Sequence, residues 1–443
     1  MRALKSFRSL YTKLTPSQSI LLGYLAYALI SAIILLQPVF HKVEISFVDS
    51  FFTTVSSVTA TGLTTLNIAA CYTFWGQFWI LVLIQIGGVG YMTFSSFVVL
   101  AISRHVSTHK KKILSCSFSF PSDFSLKEFV YNMVVFSFIA EVIGAVLLSI
   151  LFMNRGVENY IWAGVFHSVS AFCTAGFSIF QDGFIPYVTD VPVNIVVCIL
   201  MLLGGVGFIV FLDLYKRVTG QRSRLTFTSK AIIFITVLFV FLGTIFFYAF
   251  EQPFEHLTVS QQIFAALFQI ISACTTTGYS TVNFGVLQAV TVVLLGFFMI
   301  FGSSPSGTGG GIKNTTFVAL VALVRSTLRR QEYVSLFGNQ IPEKRVQLAT
   351  AIFSFNAFIL FMGIFLICFL ENKPFLMLSF EVISALGNAG TSLGVTPYLT
   401  SASKFLLMIL MFISRVGVLT FGFSLIPQDT SIRPRLQKKD LIF

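Results

Sequence analysis

The chain has 443 residues, 56% of them hydrophobic and only 10% charged, with 52 Phe. A soluble domain carries about 25% charge, so a water-soluble globule is excluded. Several runs of about 20 apolar residues read as membrane spans. Backbone in lipid must satisfy its own hydrogen bonds, and runs this long do so as helices, not as a β-barrel.

The net charge of +12 invites a nucleic-acid reading, but its distribution argues against one. Of 29 Lys and Arg, 22 fall in five places. They lie before the first apolar run (Arg2, Lys5, Arg8, Lys13), in 103–125 (Arg104, Lys110, Lys111, Lys112), in 214–230, in 325–346 and after 426. This is the positive-inside pattern of a multi-pass protein in a lipid bilayer, with both termini and three loops cytoplasmic. Six Cys show no C-x-x-C spacing, so neither a zinc site nor a disulfide framework is indicated. The first apolar run lacks a cleavage site and reads as a span, not a removed signal.

In chain order, a cytoplasmic segment (1–14) precedes four similar units, 15–113, 114–220, 221–335 and 336–430, and a cytoplasmic tail follows (431–443). Unit one has a span near 20–39, a short helix at 51–58 that Asp49 or Ser50 is placed to cap, and a second span near 75–102. Unit two has a span at 128–153, a short helix at 160–172 and a span at 191–213. Unit three has a span at 231–250, a short helix at 260–273 and a long apolar segment at 286–324. Unit four has a span at 347–370, a short helix at 376–386 and a span at 404–426. A helix of about 12 residues is ~18 Å long and cannot cross a hydrocarbon core of ~30 Å. Each short helix therefore enters and returns, which is tolerated only inside protein or beside a wet cavity. The expected fold is all-α and integral to the membrane: four M1–P–M2 repeats, with eight transmembrane helices and four re-entrant helices around a central pore.

A turn follows each short helix. The four are Thr59-Ala60-Thr61-Gly62, Cys173-Thr174-Ala175-Gly176, Thr275-Thr276-Thr277-Gly278 and Gly387-Asn388-Ala389-Gly390. Their recurrence at near-even intervals marks an internal repeat. Glycine takes φ > 0 at little cost, and such a residue lets consecutive carbonyls face one way. The flanking residues are small, so four turns can crowd on one axis. Carbonyls so arranged replace an ion's water shell, and the C-terminal ends of the short helices add negative dipole. The outer loops carry Glu44, Asp49, Glu158, Asp182, Asp190, Glu251, Glu255, Glu371 and Glu381, an acidic mouth that would concentrate cations.

A second repeat reads Ile86-Gly87-Gly88-Val89-Gly90, Leu203-Gly204-Gly205-Val206-Gly207 and Ser414-Arg415-Val416-Gly417. At the same depth unit three has Gly302-Ser303-Ser304-Pro305-Ser306-Gly307-Thr308-Gly309-Gly310-Gly311. Such Gly and Pro density cannot form a straight helix. A nucleotide-binding Walker pattern ending at Lys313 needs Gly where Ile312 stands. The segment reads instead as a loop interrupting the last helix of unit three. Arg415 occupies the place of Gly88 and Gly205, deep in its span, where a charge needs an interior partner.

These motifs resemble the ion-translocating subunit of the Trk/Ktr/HKT superfamily of potassium transporters over about residues 15–430. Thr275-Thr276-Thr277-Gly278-Tyr279 is close to the potassium-channel filter signature with one Gly. Eight spans without extra N-terminal ones are more similar to the Ktr (KtrB-like) branch of bacteria. The resemblance implies potassium uptake across the cell membrane, with Gly62, Gly176, Gly278 and Gly390 in the filter. It implies a movable gate at 302–311 and Lys313, with Arg415 beneath the filter. It also implies a homodimer, a ring of cytosolic RCK-type subunits sensing ATP or ADP, and Na⁺ as an activator. The chain would hold no organic cofactor and catalyse no reaction. In unit four, Leu386-Gly387-Asn388-Ala389 departs from the pattern by lacking Thr, so side-chain contributions to the filter are not expected there. A coupled secondary transporter with broken helices is the alternative reading, but it predicts inverted repeats, and these units run in one direction. A membrane enzyme would need clustered His, Asp or Ser at one depth. The five His are dispersed, and His105 and His109 lack a carboxylate nearby. Glu141, inside an apolar span, is a functional candidate without an evident partner.

Overall fold

The computed structural model describes residues 15–90, 126–221, 223–251 and 257–425. His105, His109, Glu255, His256, both terminal segments, the basic cluster at 104–112 and the end of the span expected to reach 102 lie outside the described residues.

Four stretches of chain repeat one order: a long helix, a short helix, a turn and further apolar helix. The long helices are Pro16–Leu35, Leu126–Asn154, Phe227–Phe250 and Glu343–Leu370. The short ones are Phe47–Val58, Tyr160–Phe172, Val259–Cys274 and Phe375–Gly387. Local chemistry starts several of them. Thr15 makes a capping box with Gln18, with Pro16 at the first helical position. Thr226 accepts from the Ser229 N–H at 3.2 Å. The first short helix begins four residues earlier than expected: Ser46, not Asp49 or Ser50, is the cap and accepts from the Asp49 N–H at 3.1 Å.

The last helices depart from the expected straight spans. The segments 191–213 and 404–426 are each two helices, Val191–Val206 with Phe208–Val218 and Ser401–Val416 with Val418–Leu425. The members of these pairs meet at 94° and 99°. The hinge is one glycine each time, Gly207 at φ 92° and Gly417 at φ 93°. Gly90 ends Phe74–Val89 with the same φ of 90°. These values fit glycine and few other residues, so the repeated glycine of the second motif is a bend. Unit three opens instead into a loop between Ala289–Phe301 and Asn314–Leu328. By length and apolarity four described helices can each cross a bilayer, or six if each bent pair is one span. A two-stranded hairpin, Ser335–Leu336 with Asn339–Gln340, links units three and four.

Packing closes a circle. Each long helix lies on the short helix of its own unit, and the last helix of each unit packs on the short helix of the next. Thus Phe74–Val89 meets Tyr160–Phe172, Val191–Val206 meets Val259–Cys274, Ala289–Phe301 meets Phe375–Gly387, and Ser401–Val416 returns to Phe47–Val58. Phe52, Phe166, Phe172, Phe268 and Phe380 are fully buried at these seams. The long helices turn large apolar side chains outward, among them Ile33, Phe138, Phe241 and Phe361. Contiguous exposed apolar surface of this kind belongs against lipid.

Candidate functional site: a ring of four turns above a hydrogen-bonded loop

Each short helix ends in the same hydrogen-bonded cap. In unit one the Ala60 and Thr61 N–H groups return to Ser57 O at 3.1 Å and Ser56 O at 2.9 Å. Thr174 and Ala175, Thr276 and Thr277, and Asn388 and Ala389 repeat the pattern. This is a Schellman-type cap, which needs a left-handed residue just past the helix. Ala60 (φ 51°), Thr174 (50°), Thr276 (55°) and Asn388 (50°) take that conformation, and only Asn is a usual occupant. Two residues later Gly62, Gly176, Gly278 and Gly390 are again at positive φ. Left-handed residues alternate with ordinary ones in all four turns.

The turns form a closed ring. A Cβ on Gly62 would lie 2.4 Å from Ala175 O, one on Gly176 2.0 Å from Thr277 O, one on Gly278 2.2 Å from Ala389 O, and one on Gly390 2.1 Å from Thr61 O. Every glycine thus accommodates the carbonyl that precedes the glycine of the next unit. Thr61, Ala175, Thr277 and Ala389 are buried. Among the described residues no hydrogen bond reaches their carbonyls. Buried backbone oxygens normally have a partner, so four such oxygens in a ring are what an oxygen-seeking cation would find.

Side chains brace the ring unequally. Thr59 and Thr61 hydroxyls pair at 2.7 Å and those of Thr275 and Thr277 at 2.8 Å. Unit four has no Thr for such a pair, and its Asn388 amide instead donates to Thr59 O of unit one at 2.9 Å. Sequence reasoning missed this bond, because a contact across 329 residues leaves no local signal. Tyr279 OH donates to Phe177 O at 2.8 Å, tying unit three to unit two.

Beneath the ring the last helices approach closely. A Cβ on Gly87, Gly204 or Gly302 would overlap Val58 O, Phe172 O or Cys274 O, at 2.2, 1.8 and 2.1 Å. The loop after Gly302 docks on the bend of unit two. Ser304 N–H donates to Gly205 O at 3.3 Å, Thr308 N–H to Gly204 O at 3.1 Å, and Phe208 N–H to Ser306 O at 3.3 Å. Gly207 leaves room for Pro305 O. The Gly307 N–H closes a turn onto Ser304 O, and Ser306 is left-handed. The loop also touches the ring: Thr308 Oγ1 lies 2.9 Å from Thr174 Oγ1, and Gly310 N–H donates to Thr276 Oγ1 at 3.2 Å. Gly311 N–H reaches Ser414 Oγ, and Lys313 Nζ donates to Gly309 O at 2.8 Å and Ser303 Oγ at 3.1 Å. A cavity of about 200 Å³ lies here, lined in part by Gly88, Gly310, Lys313, Ser414 and Arg415.

Arg415 lies on this cavity and finds the interior acceptors that its depth requires. Its guanidinium donates to Thr308 O of the loop and to Gly87 O, and to Gly88 O at 2.8 Å. Glu141, whose partner the sequence left open, receives Gln85 Nε2 at 3.0 Å and faces Cys173 Sγ at 3.8 Å. The expected acidic mouth is thinner than nine residues. Glu381 is fully buried within the last short helix, and Glu251 is buried with one oxygen on the Gln288 N–H.

Comparison with known proteins agrees with this architecture. The family model for TrkH, described as a cation transport protein, matches residues 25–433. The chain belongs to that family. It is a multi-pass membrane protein of a transporter family, and its relatives are transporters, not enzymes. It is 32% identical to the Ktr system potassium uptake protein B of Bacillus subtilis (strain 168), over 95% of either chain. It is 31% identical to the potassium/sodium uptake protein NtpJ of Enterococcus hirae, over 94% of this chain and 93% of that one. The crystal structure of the potassium transporter TrkH from Vibrio parahaemolyticus superposes with a TM-score of 0.71 at 19% identity. That match covers 93% of this chain and 84% of the other and speaks for the fold.

Proposed function

We propose that this chain is the pore subunit of a bacterial potassium uptake system. The helices make four M1–P–M2 units with eight spans, both termini are cytoplasmic, and the ring is an ion filter on the outer side. The observation that carries this reading is the closed ring, in which each unpaired carbonyl lies against the next unit's glycine. Dehydrated K⁺ is the cargo, coordinated by backbone carbonyls of residues 59–62, 173–176, 275–278 and 387–390. The membrane potential drives it inward, with ~2.3 kcal/mol per charge for each 100 mV. The name of the Enterococcus relative, a potassium/sodium uptake protein, supports a part for Na⁺ as activator or second cargo.

The loop 302–311 is the gate. It lies under the filter and is held by several hydrogen bonds, each contributing roughly 0.5–1.5 kcal/mol and more where Arg415 donates, so moving it costs several kcal/mol that a bound partner has to supply. Two such chains form the membrane dimer. A cytosolic ring that binds ATP or ADP docks on the basic loops, where Lys216, Arg217 and Arg325 stand in the last turns of their helices. The test is potassium uptake by cells lacking their own uptake systems, with this chain alone and with a nucleotide-binding partner. Uptake should require the chain and rise with the partner. Cells whose K⁺ uptake is the same with and without the chain would overturn the reading.

A further inference from the structure

Nine residues before Gly62, Gly176, Gly278 and Gly390 the short helices carry Thr53, His167, Gln269 and Glu381. All four are buried, at 0%, 0%, 1% and 0% exposure. In three units this side chain reaches the irregular segment that leaves the ring. His167 Nε2 lies 2.9 Å from Ser178 Oγ, and Gln269 Nε2 donates to Thr281 Oγ1 at 2.8 Å. Glu381 does more. Its Oε1 accepts from Ser392 Oγ at 2.6 Å and from the Leu393 N–H at 3.1 Å, and its Oε2 accepts from Thr396 Oγ1 at 2.5 Å. No cation pairs with it among the described residues. Thr53 is too short to reach outward, and its hydroxyl turns back to Asp49 O at 2.9 Å.

The ring is therefore braced in two ways. Units one and three have a threonine hydroxyl pair within the turn. Units two and four have none, and of these the heavier strut stands behind unit four.

We propose that Glu381 is a positioning residue for ion selectivity, holding the segment from Gly390 to Thr396 at the height and radius that suit K⁺. This rests on the filter reading above. A filter of carbonyls discriminates by cavity size or by the number and strength of its oxygens, and selectivity is a difference between two affinities. A turn free to move inward follows the smaller ion, so loosening it helps Na⁺ more than K⁺. Glu381 touches no ion and acts through the Ser392–Thr396 segment.

The experiment is parallel K⁺ and Na⁺ uptake, with KM for K⁺ and the amount of protein in the membrane, for Glu381→Gln, Thr396→Val and Gly62→Ser. Glu381→Gln keeps shape but presents an amide donor to groups that donate, and Thr396→Val removes one donor at constant volume. Both should lower the K⁺ over Na⁺ ratio, by about threefold to tenfold for Glu381→Gln, with normal membrane amounts. If Glu381→Gln fails to reach the membrane, Thr396→Val decides. A wild-type ratio and KM in the strut variants, while Gly62→Ser lowers the ratio, overturns the proposal and leaves the filter standing. An unchanged ratio in Gly62→Ser removes the filter reading and this inference with it.

Discussion

The ring of turns and the loop beneath it touch through Thr174 and Thr276 but are built on opposite principles. The ring repeats: four caps, four left-handed residues and four glycines, each against the next unit's carbonyl. Its repeated feature is backbone, so the side chains are small and all three positions before the glycine differ between units. The loop occurs once. It replaces a glycine bend in one unit of four and is held by Thr174 of unit two, Thr276 of unit three and the adjacent Ser414 and Arg415 of unit four. A repeated backbone device resists change at every position, whereas a single loop on scattered bonds can leave its seat. That contrast supports the proposed division, with selection in the ring and gating in the loop.

The ring should be the more fragile to substitution. In Gly62→Ser a Cβ must enter at φ 95° and 2.4 Å from Ala175 O. Strain of this kind is on the order of 1–3 kcal/mol. The expected result is a fall of about tenfold or more in the K⁺ over Na⁺ uptake ratio, read against membrane abundance. An unchanged ratio in an inserted mutant would remove the distinction drawn above.

Deleting Gly307–Gly311 tests the other side. Shortening a repeated, braced element should abolish function, but shortening a gate should raise flux and weaken dependence on the partner. Flux measured with and without the cytosolic subunit separates the two. Equal flux and equal partner dependence in a normally inserted deletion would mean that the loop is not a gate.

How far each region was legible in the sequence follows the same division. The ring's glycines and the short helices stood out because they recur, and the short helices at 160–172 and 260–273 lie within a residue of their observed ends. The left-handed residues before those glycines did not stand out, since Ala60, Thr174 and Thr276 are types that rarely adopt it. The hinge glycines were visible as the last residue of a repeat, Gly204-Gly205-Val206-Gly207 and Ser414-Arg415-Val416-Gly417, but apolar length argued for straight spans, and conformation at one residue overrode length. The partners of Arg415 and Asn388, and Gln85 as the partner of Glu141, were illegible because each lies on another unit.

A smaller effect is expected at Arg415, where the two regions meet. One guanidinium bridges Thr308 O of the loop to Gly87 O and Gly88 O of unit one. Three carbonyls around a planar fork are poorly matched by a Lys ammonium on one flexible stem. Arg415→Ala and Arg415→Lys should therefore both leak K⁺, with Ala faster because it also removes a fixed positive charge. If Lys conducts like wild type while Ala leaks, the charge alone closes the path and the anchor has no role. Steady-state uptake without the partner subunit reads the difference.

The smallest effect should appear away from both regions, at Glu371. It sits in the connection after Glu343–Leu370, and its carboxylate accepts from the Thr400 N–H at 2.7 Å, at the start of Ser401–Val416. Burial pushes its carboxyl up. Hydrogen bonds from Thr400 and Ser403 and the charge of Lys373 outweigh that and hold it below the usual Glu value. A carboxyl depressed in the folded state adds stability above its unfolded pKa, and this is lost as pH falls through the folded one. Thermal melts of the purified protein should thus fall as pH drops below the ordinary Glu range, and Glu371→Gln should flatten part of that slope. As a single half-buried group in a connection, it should shift the melt only slightly. The K⁺ over Na⁺ ratio and partner-free flux should both stay at wild-type values in Glu371→Gln. A shift in either would mean that ring and loop respond to stability at large, and that the Gly62 and Arg415 results need no filter or gate to explain them.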